Sequence, residues 1–170
     1  MNTIDTQASI RGAVALILSG ALACAQAQLA APYVGGALGD SDLGTGIRAF
    51  GGAAITGVFG WEAQLTSFGS QTVRPLTNSS CRTSAWALGG GGTAKVPLSP
   101  VISVYGKAGA HYVKAGYSGN CTNPNGGDIE LGVGAGMLWH FSPKAALRVE
   151  FESIGGVGGD FISVGVQFPL

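Results

Sequence analysis

The stretch from Asp128 to Phe141, DIELGVGAGMLWHF, constrains the fold more than any other part of the chain. Its odd positions, Ile129, Leu131, Val133, Ala135, Met137, Trp139 and Phe141, are all apolar, whereas its even positions read Asp128, Glu130, Gly132, Gly134, Gly136, Leu138 and His140. A period of two is the signature of a strand with two different faces. Strands of soluble proteins mostly run about 5–6 residues, and an apolar stripe twice that long would stand exposed to water. A strand that crosses a bilayer needs roughly 9–11 tilted residues with one face toward lipid. The stretch is therefore read as a membrane-crossing strand.

Composition agrees with that reading. The 170 residues allow one domain, and only 11% of them are charged, yet no run of 18 apolar residues exists to form a spanning helix. Nine basic residues balance nine acidic ones, with no Lys/Arg cluster. Nucleic acid is excluded as an expected partner.

The N-terminus reads as an export signal. Gly12 to Ala23 is a short apolar core followed by Ala25-Gln26-Ala27, so cleavage is expected between Ala27 and Gln28. Residues 1–27 are then a signal peptide and 28–170 the barrel domain. The core is too short for a membrane anchor, and a lipoprotein signal ending at Cys24 would want Leu where Ala21 stands. Cleavage leaves Cys81 and Cys121, both in Ser/Asn/Gly-rich segments read as loops. In an oxidising compartment the pair is expected to form one disulfide rather than remain as free thiols.

Alternation along the mature chain predicts eight strands: Pro32 to Gly39, Ile47 to Ile55, Val58 to Ser67, Ser84 to Val96, Val101 to Val113, Asp128 to Phe141, Ala145 to Glu152 and Asp160 to Phe168. The expected fold class is all-β, an eight-stranded antiparallel up-and-down transmembrane barrel. Links after the second, fourth and sixth strands are short, and those after the third and fifth are long and polar. Outer-membrane barrels have short periplasmic turns and longer extracellular loops. Both termini are therefore expected in the periplasm, with outer loops at Asp40 to Gly46, Phe68 to Thr83, Lys114 to Gly127 and Ser153 to Gly159.

Eight strands enclose an interior that side chains can fill. Alternation points Arg48, Lys95, Lys107 and Arg148 inward against Glu62, Glu130, Glu150 and Glu152. Four against four suggests an internal ion-pair network that locks the barrel, because isolated charges there would be costly. The alternative is a small pore, which inward glycines such as Gly89, Gly91, Gly132, Gly134 and Gly136 would leave room for.

Four segments carry a resemblance to a known family: Tyr33 to Gly39, VYGKAGAHY at Val104 to Tyr112, ELGVGAGMLWHFSPKAALRVEFE at Glu130 to Glu152, and ISVGVQF at Ile162 to Phe168. Together they resemble the OmpA/OmpX-type eight-stranded outer-membrane β-barrels across essentially the whole mature chain. The resemblance implies a structural, adhesive or host-contacting protein, inserted by the barrel assembly machinery through a C-terminal strand that carries an aromatic residue, here Phe168. It also implies outer-membrane lipid and lipopolysaccharide as surroundings and a host or surface ligand at the outer loops.

An enzyme is not expected. His111 and His140 fall at opposite ends of a band about 25 Å tall, no nucleophile elbow, zinc-protease or phosphate-loop motif occurs, and no metal or cofactor is implied.

Overall fold

The structure is a computed structural model and describes residues 30–73, 80–119, 121, 126–156 and 159–170. The expected signal peptide and its cleavage point between Ala27 and Gln28 lie outside the described residues.

Eight strands, β1 (Ala30–Ser41), β2 (Gly44–Ala54), β3 (Phe59–Val73), β4 (Cys81–Pro97), β5 (Ile102–Gly119), β6 (Gly126–Ser142), β7 (Ala145–Ile154) and β8 (Asp160–Pro169), follow one another around a closed barrel. Each pairs antiparallel with the next, and β8 returns to β1 through a ladder that includes Val34 opposite Phe168 and Leu38 opposite Val164. No edge strand is left unpaired, as a sheet in lipid requires.

Alternation is kept all the way round. Many outward positions are large and apolar, with Ile129 72% and Leu131 78% exposed, while Gly132 and Leu138 on the inner face of the same strand are buried. In water that face would be an aggregation surface; in a bilayer it is the contact with acyl chains. Trp139 and Phe141 near the end that carries the termini, and Trp86 and Tyr112 toward the other, are outward aromatic pairs of the kind that sits at membrane interfaces.

The strands are longer than alternation predicted at one end. β4, β5 and β6 run 17, 18 and 17 residues, about 60 Å along the strand at roughly 3.3 Å per residue. Even tilted by 35–45°, that exceeds the apolar band of roughly 25 Å. The surplus lies at the hairpin end: β3 pairs with β4 as far as Val73 opposite Cys81, and β4 with β5 as far as Cys81 opposite Gly119. Parts of the loops expected at Phe68 to Thr83 and Lys114 to Gly127 are thus ladder. Cys81, expected in a loop, is the first residue of β4. The loop expected at Asp40 to Gly46 is a turn at Asp42 and Leu43, because β1 pairs with β2 out to Ser41 opposite Gly44. Gly44 takes a φ of 104° there, a conformation that costs glycine little.

Cys81 and Cys121 form a disulfide with a Cα separation of 5.1 Å. It ties the β3–β4 hairpin to the β5–β6 hairpin where both project beyond the apolar band. Replacing both cysteines by serine is expected to cost about 2 kcal/mol, the low end for a closed loop of this length because ladder pairing already holds β4 to β5. The readout is faster protease cleavage within the two hairpins, with the heat-dependent gel shift of the barrel retained.

Candidate functional site: a filled lumen beneath tied hairpins

The interior is stacked in three layers. At the hairpin end, Leu43, Phe68, Ala85, Ala87, Val113, Ile154 and Phe161 form an apolar cap, with the Phe68 and Phe161 rings edge to face at 5.8 Å between centroids. At the terminal end, Tyr105, Leu138 and Ala146 form a smaller apolar floor. Between them lies a charged layer.

Period two on β7 places Arg148, Glu150 and Glu152 in a row on its inner face, and each is at most 3% exposed. Arg148 donates from Nη1 and Nη2 to the two carboxylate oxygens of Glu62 on β3, at 2.6 and 2.8 Å, and from Nε to Glu150 at 2.9 Å. The fork of a guanidinium matches a carboxylate in this way. Its flat faces rest on Phe50 and Tyr105, whose ring centroids lie 4.2 and 4.6 Å away. Arg48 on β2 pairs with Glu150 and with Glu152 at 2.6 Å, donates from Nε to Thr66 at 2.9 Å, and stacks on Phe161 at 4.7 Å. Lys107 on β5 reaches Glu150 at 2.6 Å, Glu152 at 3.1 Å, Glu62 at 3.5 Å and the amide oxygen of Gln64 at 2.6 Å. Gln64 donates to Glu152 at 2.7 Å, Tyr33 donates to Glu62 at 2.9 Å, and Tyr105 donates to Glu150.

Three cations and three carboxylates thus share one layer, drawn from β2, β3, β5 and β7. Their sum is neutral, and most of their hydrogen-bonding positions are used within the layer. That is the condition under which buried charge is tolerated.

Two of the eight residues expected here stand elsewhere. Lys95 is opposite Tyr105, whose ring fills the lumen at that level, and it lines a small cavity toward the terminal end with Thr93 and Gln167. Glu130 is closer to the hairpin end than the charged layer, its carboxylate leaning on Gly155 and Gly156. Among the described residues neither Lys95 nor Glu130 makes an ion pair. Alternation assigns a face but not a height along the barrel axis. Conversely, Tyr33, Gln64, Thr66 and Tyr105 belong to the layer without having been singled out, and His111 approaches it with Nε2 3.6 Å from Glu152.

Several of the inward glycines face a large side chain of the neighbouring strand. Gly136 is opposite Tyr105, Gly134 opposite Lys107, Gly52 opposite Tyr33, Gly35 opposite Phe50 and Gly89 opposite His111. At each, the position a Cβ would take is already filled, by Tyr105 Cζ at 2.6 Å for Gly136 and by Tyr33 Cζ at 2.9 Å for Gly52. Glycine is thus the seat on which the neighbouring strand's large side chain lies. Among the described residues the spaces beside the charged layer are small, about 40 Å³ toward the terminal end and about 10 Å³ beside Lys107 and His111, room for a few waters, while a wider and more open space of about 320 Å³ lies at the hairpin end, lined by Val113, Ala115, Tyr117 and Glu130. His111 and His140 stay at opposite ends, and among the described residues no three His, Cys, Asp or Glu side chains are grouped to hold a metal.

Residues 12–168 match the family defined as the outer membrane protein beta-barrel domain. The chain belongs to this family. Solved structures agree in fold: Ail, the attachment invasion locus protein of Yersinia pestis, is similar at a TM-score of 0.54 and 14% identity, over 82% of this chain and 97% of that one. Neisserial surface protein A gives 0.53 and 16%, over 82% and 95%, and the N-terminal barrel of Pseudomonas aeruginosa OprF gives 0.52 and 9%, over 84% and 98%. A de novo designed transmembrane β-barrel is similar at 0.57 and 18%, over 84% and 98%. No curated protein matches the sequence. The chain is thus an outer-membrane barrel whose lipid-facing surface, filled interior and tied hairpins are those described above.

Proposed function

We propose that this barrel is a structural and surface-contact protein, exported by a cleaved signal peptide and folded by the barrel assembly machinery, with its long hairpins at the cell surface. The observation that supports this reading is the lumen: among the described residues an apolar cap lies above a neutral, paired layer that fills the barrel's cross-section, which favours a function carried by the exterior. The part offered to the exterior is the pair of hairpins that Cys81 and Cys121 join. Phe168, outward on β8 and 48% exposed, is the aromatic residue that the assembly machinery would read.

Cells displaying the full chain are expected to bind a heparin-coated surface more than cells carrying an empty vector. Heparin is the first probe because Ail has been solved with a heparin analogue, sucrose octasulfate. Shortening both hairpins to turns should abolish binding and leave the barrel folded. Equal retention with and without the hairpins would sink the contact role.

The charged lumen gives the second reading, a small pore, its observable. In planar bilayers the purified chain is expected to give no reproducible conductance steps, with or without Lys107→Gln. Steady steps whose ion preference changes in Lys107→Gln would establish the pore instead.

A further inference from the structure

The outer faces of β4 and β5 carry, in order along the barrel axis, the parts that one anionic lipid would need. Nearest the hairpin tips are two cations: Arg82 and Lys114 both occupy outward positions, Lys114 directly opposite Trp86 and Arg82 two outward positions further out. Arg82 is steadied by Ser70, to which Nε and Nη2 donate at 3.2 and 2.8 Å. Trp86, level with Lys114, and Tyr112, one outward position below it, bring their rings together at 5.9 Å and 64°, at the level where aromatic residues mark a membrane interface. Below the rings the outward side chains shrink. Gly90 faces Ala110 and Gly92 faces Ala108, leaving a shallow strip between Leu88 and the large outward side chains of β6, Leu131 and Val133.

A second strip of small outward residues runs along β2 at Ala49 and Gly51, but it is topped by Thr45 and, on β1, Asp40. Asp160 on β8 is also outward at that rim. The rim is therefore basic over β4 and β5 and acidic over β1 and β8. Charge, not the strip alone, selects the side.

We propose that β4 and β5 bind a phosphorylated glycolipid of the outer leaflet, the lipid A part of lipopolysaccharide, with phosphates on Lys114 and Arg82 and an acyl chain along Gly90, Gly92, Ala108 and Ala110. The site rests on placing the long hairpins at the cell surface. Binding in micelles does not depend on that orientation, whereas labelling of intact cells tests the orientation alone, so the two can fail separately.

The probe is bisphosphorylated lipid A, titrated into the refolded chain in zwitterionic micelles and followed by Trp86 fluorescence in a Trp61→Phe, Trp139→Phe background. Lys114→Gln or Arg82→Gln is expected to weaken binding about fivefold and the double variant about thirtyfold, the scale for basic residues at an anionic surface. Gly92→Leu should weaken it severalfold with both charges intact, since open space surrounds that Cβ position and the new side chain fills the strip without disturbing the barrel. Asp40→Asn, on the far side, should leave it unchanged. The heat-dependent gel shift verifies that each variant is folded. Unchanged affinity in the double variant, or equal binding of lipid A stripped of its phosphates, would overturn the site. Displacement of the lipid by inorganic phosphate alone would overturn the assignment to a lipid.

Discussion

Glu150→Gln is expected to cost the folded barrel about 3–5 kcal/mol, the range for removing one partner of a buried ion pair. The substitution is isosteric, so it opens no cavity, and the loss isolates charge. Glu150 is the carboxylate that touches Arg48, Arg148 and Lys107 together and also accepts from Tyr105. Without it three cations face two carboxylates in a layer closed above by Phe68 and Phe161 and below by Tyr105 and Leu138. Removing Lys107 as well restores the balance at two against two. Glu150→Gln with Lys107→Met should therefore lose less than the sum of the two single variants. Urea titration in micelles, read by the gel shift of the folded form, measures all three. If Glu150→Gln unfolds within about 1 kcal/mol of the unaltered chain, the layer is hydrated and the filled-lumen account is wrong.

The architecture was legible where the bilayer imposes a rule. Lipid on one face and a packed interior on the other force a period of two, so Asp128 to Phe141 and Ala145 to Glu152 could be read residue by residue, and the inward charges followed from parity. Beyond the lipid the rule lapses. Arg82 and Thr83, like Lys114 to Ser118, continue the ladder in water, where neither face must be apolar, so the same residues that extend the strands read as loops. The apolar cap escaped for a related reason. Leu43 and Phe68 fall in segments that polarity marks as loops, and they gain their burial only when the turn and the end of β3 fold over the lumen with Phe161. In β2 the blurring of alternation by Arg48 and Phe50, both inward, is itself informative: Phe50 is a face on which Arg148 stacks. An aromatic residue on a charged face was the signal for cation–π packing. Height was the quantity that parity could not supply, which is why Lys95 and Glu130 were grouped with a layer that neither reaches.

Gly136→Val should be nearly as damaging as loss of Glu150, although it removes no charge and adds only apolar atoms. A Cβ at Gly136 would fall 2.6 Å from Tyr105 Cζ and 2.6 Å from the Val149 carbonyl oxygen. The ring can swing away, but the carbonyl belongs to the β6–β7 ladder and cannot. Overpacking of this kind costs about 1–3 kcal/mol, and displacing Tyr105 also breaks its hydrogen bond to the buried Glu150 carboxylate, worth about 1.5–3 kcal/mol more. The expected total is roughly 3–5 kcal/mol in the same urea titration. Tyr105→Phe separates the two contributions, since it keeps the ring on its seat and removes only the hydrogen bond. Gly92→Ala is the contrast: it adds one Cβ on the lipid face where nothing lies within 4 Å, and it should be neutral or stabilising by about 0.5–1 kcal/mol. Equal effects at Gly136 and Gly92 would mean that glycine serves strand curvature alone. A large loss confined to Gly136 means that the inward glycines are what lets eight strands close around side chains as large as Tyr105 and Phe50, and so what makes the interior a packed core rather than a channel.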